Sequence, residues 1–324
     1  MSSEFITDVG ELIRILGLTE ILGSGVFYGS DYSFLVPRDF VKLMEFGNPF
    51  DPLLLQVLPR VIECDEVSGF LPNPLEEQIS AGLPILKKYK GRALLMPTCQ
   101  CGIHCRFCFR RHVLPRGVLQ HGLQSSTREE SISNITAALD LVMSDVSISE
   151  VIISGGDPLI QGDEQIKEVL DYIEKIPHVK RVRIHSRYLV VQPRRITEGL
   201  NFVLSRSKPV YLVLHVNHPR ELSVEFLSRL RILSAPVILS QTVLLRGIND
   251  DIEVLSELFG GLADNRVIPY YLHQLDRVSG AAHFEVSIEE GCKLIRGLRE
   301  RLSGYAIPRY VQETTNENCK RLLM

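Results

Sequence analysis

Cys101-Gly-Ile-His-Cys105-Arg-Phe-Cys108-Phe-Arg110-Arg111 stands directly after the apolar run Arg92-Ala-Leu-Leu-Met96. The run reads as a β-strand, and the cysteine-bearing residues as the loop at its end. Thiolates at x3 and x2 spacing can converge on one centre, and soft sulfur ligands select zinc, Cu(I) or an iron–sulfur cluster. A structural zinc site is closed by four protein ligands, usually as two separated pairs. A cubane cluster held by three cysteines leaves one iron open instead. The nearest further ligands, Cys99, His104 and His112, do not stand at the spacing of a paired zinc knuckle.

Outward from this loop the chain alternates. Apolar or β-branched runs at 92–98, 150–154, 181–187, 210–216, 236–245 and 267–275 are joined by amphipathic stretches with helical period, such as Ile132, Ile135, Leu139 and Val142, or Ile166, Val169, Leu170 and Ile173. A sixth helix is expected over about 287–302, marked by Ile288, Cys292, Ile295 and Leu302. Six strand–helix units predict an α/β fold with a parallel sheet and crossover helices. The even spacing suits a partial (β/α)6 barrel; doubly wound order is the alternative. Polar clusters fall at the ends of these strands: Ser154-Gly155-Gly156-Asp157, His185-Ser186-Arg187, His215-Val-Asn217-His218 and His273-Gln-Leu-Asp276. With the cysteine loop they share the carboxyl-end face, where parallel α/β folds bind ligands.

Residues 1–90 hold short helical patterns, at Val9 to Leu18 and about Leu53 to Leu58, between Pro and Gly breaks. This part is expected to pack against or cap the main domain as a mainly helical extension. Gly23-Ser-Gly25 with Gly29 lacks the spacing of a nucleotide loop and reads as a turn. The 324 residues are 45% hydrophobic and 23% charged, ordinary for a soluble globular chain. A net charge of −3 gives no footprint for nucleic acid or a membrane surface. No basic leader and no run of 18 apolar residues is present, so a cytoplasmic protein acting on small molecules is expected. Seven cysteines, four of them bunched at 99–108, do not form a disulfide framework. In a reducing compartment such a bunch means metal or catalysis.

The CxxxCxxC triplet within CRFCFRRH resembles the radical S-adenosylmethionine (SAM) enzymes, and among them the lysine 2,3-aminomutase family. The resemblance extends to MEFGNPFDPLLLQVLPR (44–60) and NPLEEQ (73–78) upstream and PYYLHQLDRVSGAAHF (269–284) downstream, and the upstream segments resemble the branch that serves elongation factor P. The resemblance implies a [4Fe-4S] cluster on Cys101, Cys105 and Cys108, whose open iron binds SAM. It implies SAM contacts at Ser154, Gly155, Gly156, Asp157, Arg187, His215 and Gln241. The glycines there remove side chains at a strand end, so that backbone can approach closely and adopt positive φ. Lys320, at the end of Gln312-Glu313-Thr-Thr-Asn-Glu-Asn-Cys319-Lys320, matches the Schiff-base lysine for pyridoxal phosphate (PLP), although the family's glycine-rich run before that lysine is missing here. Tyr89 and Arg92 match the phosphate side, and Arg110 matches the clamp on the substrate carboxylate, where a guanidinium fork suits the ligand. Asp276 and Glu313 match the pair that receives the distal ammonium of lysine.

The implied activity is conversion of L-α-lysine to β-lysine, with an electron donor such as flavodoxin or ferredoxin and a functional link to elongation factor P and its lysyl ligase. A homo-oligomer is compatible with the sequence. The division expected is 1–90 extension, 91–304 radical SAM partial barrel, and 305–324 closing the PLP site. Two other readings have discriminators: a radical SAM enzyme acting on another amino acid or without PLP, and a non-catalytic zinc scaffold.

Overall fold

The computed structural model describes residues 4–19, 25–26, 32–77, 82–87, 89–113, 128–315 and 317–324, without the side chains of 128–131. Gly23, Ser24 and Gly29 of the glycine turn, Gln78 of NPLEEQ and Asn316 before the lysine lie outside the described residues. In chain order the strands are β1 (Phe5–Ile6), β2 (Val36–Pro37), β3 (Ile85–Leu86), β4 (Arg92–Thr98), β5 (Glu150–Gly155), β6 (Arg181–Ser186), β7 (Val210–His215), β8 (Val237–Val243), β9 (Ile268–His273), β10 (Arg309–Gln312) and β11 (Arg321–Leu322). The first two pair only with each other, and the rest form one sheet ordered β3 to β11 in sequence.

Strands β4 to β10 run parallel, while β3 and β11 close the two sides antiparallel. The order never reverses, which removes the doubly wound alternative, because that topology needs a switch point. Helices at Arg128–Ser144, Asp163–Glu174, Glu198–Leu204, Val224–Leu230, Ile252–Asp264 and Ile288–Arg301 connect successive parallel strands. Their starts carry local signals: Ser287 and Glu290 form a capping box, and the Asp251 carboxylate accepts from Glu253 N and Val254 N.

Strand alternation decides what each face holds. On β5 and β6, Val151, Ile153, Val182 and Ile184 join the core beneath the helices, while Ile152, Ser154, Arg183 and His185 face an internal cavity. One register therefore builds the core and the cavity wall together.

The N-terminal part forms a second core over the strand ends. Leu12, Phe40, Leu53 and Leu54 pack with Ile103 and Phe107 of the cysteine loop and with Val191, Leu245 and Phe284. Its helices are short, at Val9–Ile15, Arg38–Val41 and Pro52–Leu55, so the pattern expected to run to Leu58 stops a turn earlier. Asp51 caps that last turn, its carboxylate accepting from Leu53 N and Leu54 N. The C-terminal segment differs from expectation in kind: Arg309–Gln312 is a seventh parallel strand, and Lys320 lies between it and β11.

Candidate functional site

A cavity of about 700 Å³ opens at the carboxyl ends of the strands and reaches into the interior of the sheet. Every residue to which the family resemblance gave a role lines it: Cys101, Cys105, Cys108, Tyr89, Arg92, Arg110, Ser154, Gly155, Gly156, Asp157, Arg187, His215, Gln241, Asp276, Glu313 and Lys320. They come from nearly every parallel strand.

The cysteine loop is held from three sides. Gly156 N donates to Thr98 O (2.9 Å) and Asp157 N to Gln100 O (2.8 Å), stitching the β5 turn to the start of the loop. A Cβ on Gly156 would stand 2.1 Å from Gln100 O, and Gly155 has φ +113°. The close approach these glycines permit is thus to the loop's own backbone. From the N-terminal part, His104 N donates to Leu35 O and Arg106 N to Gln56 O, both at 2.9 Å. Arg106 is fully buried and grips the Glu63 carboxylate through Nε and Nη2, and Arg111 Nη2 reaches the same carboxylate at 2.6 Å. Burial alone would push the Glu63 carboxyl up, but the two guanidiniums hold it below its ordinary value. Both also lie about 5 Å from the Tyr32 ring centroid.

The thiols themselves are desolvated. Burial raises all three, Cys105 to about 12, so each is neutral until a positive centre takes its proton's place. Among the described residues no three His, Cys, Asp or Glu side chains stand as a set able to hold a single metal ion. His104 Nδ1 pairs with Ser33 O and His112 Nε2 with Ser279 O, and neither residue lines the cavity that the three cysteines face. A three-cysteine loop lining a cavity fits a cluster whose remaining ligand comes from the cavity side.

Beside the loop, the buried Asp157 carboxylate accepts from Leu159 N (3.1 Å), Ser186 Oγ (2.9 Å), Arg187 N (2.6 Å) and Tyr188 N (2.7 Å). Its acceptors are committed to locking the ends of β5 and β6 together, so a direct ligand contact, as the sequence suggested, has little capacity left. Arg187 is 5% exposed; one terminal nitrogen donates to Gln56 Oε1 (2.7 Å), while Nε and Nη1 have no hydrogen-bond partner. Gln56 in turn donates to Glu221 (2.9 Å), whose carboxylate is 3.5 Å from Arg187. His215 Nε2–H donates to Asn217 Oδ1 at 3.0 Å, and burial beside Arg187 lowers the imidazole to about 3. It is a neutral imidazole across the working pH range.

Deeper in the cavity, Glu313 accepts from both Tyr89 Oη and Lys320 Nζ. Lys320 lies 6.0 Å from the Tyr271 ring centroid, and Arg92 5.0 Å from that of Tyr89. Burial raises the Tyr89 phenol to about 12. Arg183 Nε, His185 Nε2 and His273 Nε2 are buried without hydrogen-bond partners. Burial and the nearby cations, Lys320 among them, lower both imidazoles well below their ordinary value. An unpaired buried guanidinium donor and two unpaired imidazole nitrogens around a lysine are what an anionic, ring-bearing cofactor would satisfy, so the residues fit PLP. The side-on edge of Arg110 is occupied by Glu77, Nε to Oε2 and Nη2 to Oε1, both 2.7 Å.

Sequence reading missed Glu63, Gln56, Tyr32 and Glu77, which reach the site through long-range packing. It missed roles for Arg183, His185 and His273, although the last two stood in the strand-end clusters already recognised.

The cysteine triplet follows the first strand of a sequentially ordered parallel array and opens on the same cavity as Lys320. The chain is 40% identical over 324 residues to L-lysine 2,3-aminomutase of Escherichia coli, covering 98% of this chain and 92% of that one. It is 32% identical to glutamate 2,3-aminomutase of Clostridioides difficile, covering 95% and 72%. Among solved structures, a radical SAM methyltransferase from Sphaerobacter thermophilus superposes with a TM-score of 0.47 at 19% identity over 70% of this chain and 68% of that one. No protein-family model matches. On its sequence relatives, the chain belongs to the lysine 2,3-aminomutase family.

Proposed function

We propose that this protein is a radical SAM, PLP-dependent 2,3-aminomutase that converts L-α-lysine to β-lysine. The observation that carries the reading is one cavity lined at one end by the cysteine triplet and at the other by Lys320 with two acids, Asp276 and Glu313. A cluster with SAM supplies one-electron hydrogen abstraction, and PLP carries the nitrogen between neighbouring carbons. The chain's own part is placement. Cys101, Cys105 and Cys108 would hold the cluster on a rigid loop. Arg187, His215, Gln241 and the Ser154–Gly156 turn would border SAM, with Asp157 fixing the turn. Lys320 would anchor PLP, with Arg92 and Tyr89 on the phosphate side.

Substrate choice follows from charge. Asp276 and Glu313 in a cavity attract a cationic side chain, and an acidic substrate would leave the carboxylates facing a like charge. This matters because the family includes a relative named for glutamate. Arg110 would receive the α-carboxylate. The upstream segments at 44–60 and 73–78 favour the elongation factor P branch, so β-lysine would pass to the lysyl ligase of that factor, in the cytoplasm, with flavodoxin or ferredoxin as electron source. The α/β architecture is read as a partial (β/α)6 barrel over 91–304, with 1–90 as extension and 305–324 closing the lysine side. Among the described residues no helix is long and apolar enough to cross a membrane.

The test is anaerobic loading with iron, sulfide and PLP, then incubation with L-lysine, SAM and dithionite, scoring β-lysine by mass spectrometry. β-Lysine that is lost in Cys105→Ala and Lys320→Ala is the expected result. 5′-Deoxyadenosine without β-lysine would retain the cluster and overturn the substrate or PLP assignment; zinc in place of iron and sulfide would overturn the whole.

A further inference from the structure

Arg110 carries five N–H donors in a plane. Glu77 takes Nε–H and one N–H of Nη2 in a side-on fork, and Gly155 O takes one N–H of Nη1 at 3.0 Å. One N–H is left on each terminal nitrogen, available to a second carboxylate. The ion pair is buried, with side-chain exposures of 5% and 9%, and both residues line the cavity.

Glu77 is itself aimed by its neighbours. Asn73 binds its backbone on both sides, Nδ2 to Glu77 O (3.3 Å) and Glu77 N to Asn73 Oδ1 (3.2 Å). Glu76 turns the chain with φ +50°, a left-handed conformation that is strained for a non-glycine residue and persists only where the surroundings enforce it. Leu71 is bonded to the segment after β9, through Leu71 N to Arg277 O (2.9 Å) and Ser279 N to Leu71 O (3.0 Å). The carboxylate is therefore delivered by a segment tied to the same strand end that bears Asp276.

We infer that Glu77 is a positioning residue: it fixes the Arg110 guanidinium side-on, so that the remaining edge receives the α-carboxylate of the amino-acid substrate. The inference rests on the proposed role of Arg110. It assigns Glu77 a part in recognising the α-carboxylate without touching it. The opposite role, a stand-in carboxylate that leaves when substrate arrives, predicts the opposite sign on removal.

The test compares equilibrium binding of L-lysine and of 1,5-diaminopentane, which is lysine without its carboxylate, to the PLP-loaded, cluster-loaded protein without reductant. Wild type should favour lysine. In Glu77→Gln, whose amide turns a donor toward the guanidinium, that preference should fall at least ~10-fold, through weaker lysine binding with 1,5-diaminopentane unchanged. Glu77→Asp should restore part of it, and in turnover KM should rise more than kcat falls. Unchanged preference in both variants, or tighter lysine binding, overturns the inference. Equal affinity of wild type for the two ligands overturns the role of Arg110 itself, and the inference with it. Iron, sulfide and PLP content checks each variant's fold, and Glu77→Asp keeps the comparison decisive should Glu77→Gln fail to load.

Discussion

The cysteine loop and the lysine segment face the same cavity but are held in different ways. The loop is fixed by backbone bonds from two distant parts of the chain and by a buried ion cluster in which one carboxylate serves two guanidiniums. Lys320 lies between two short strands, paired with Glu313 and facing the Tyr271 ring, with its side chain 24% exposed. On the proposed function, a metal cluster would need its ligands in fixed positions before it forms, whereas a lysine that bonds to one partner and releases it would work better from a less restrained position. Rigidity is concentrated where geometry is demanding, and economy where exchange is.

Breaking the loop should have the largest effect. Glu63→Ala leaves Arg106 and Arg111 buried without their carboxylate, so a loss of about 3–5 kcal/mol is expected in urea unfolding, together with loss of bound iron. The same contact gives a pH signature. Because the folded Glu63 carboxyl lies below its ordinary value, its stabilisation is fully present above that value and is lost as pH falls through the lower, folded one. The acid limb of the stability curve should flatten in Glu63→Gln.

Gly156→Ala comes next. Its Cβ would meet backbone at 2.1 Å, which no side-chain rotation relieves, so about 1–3 kcal/mol is expected, with disturbed iron loading and an intact PLP band. A variant that loads iron normally would show that the glycine serves the turn and not the loop. The smallest stability effect belongs to Lys320→Ala, about 1 kcal/mol or less, because a partly exposed pair contributes little. Its melting temperature should stay close to wild type while the visible absorbance of bound PLP disappears. A large loss of stability there would erase the contrast between the two regions.

Much of this was legible in the sequence. Arg92–Thr98 is the strand that the apolar run predicted, and the later five parallel strands fall within two residues of their predicted ends, because each run is bounded by polar strand-end residues. Arg309-Tyr-Val-Gln was not seen as a strand: four residues with charge at one end give no period to count. The cavity residues at strand ends were visible for the same reason as the strands. Their anchors were not, since Glu63 is 43 positions from Arg106 and Gln56 is 165 from Glu221, and nothing local distinguishes a glutamate that will be buried against arginine from one left in water. Glu77 was hidden likewise, inside a segment recognised only by its likeness to relatives.

The two antiparallel strands that flank the parallel array have a consequence for behaviour in concentrated solution. Ile85–Leu86 and Arg321–Leu322 each offer a neighbouring molecule only two residues of free ladder. So short a margin is a poor template for strand addition, which protects a wide sheet from edge-to-edge association and growth into aggregates. Because Arg321 follows Lys320 directly, the residues that blunt this margin also tether the lysine, and colloidal stability and the placement of that lysine are secured by the same few bonds.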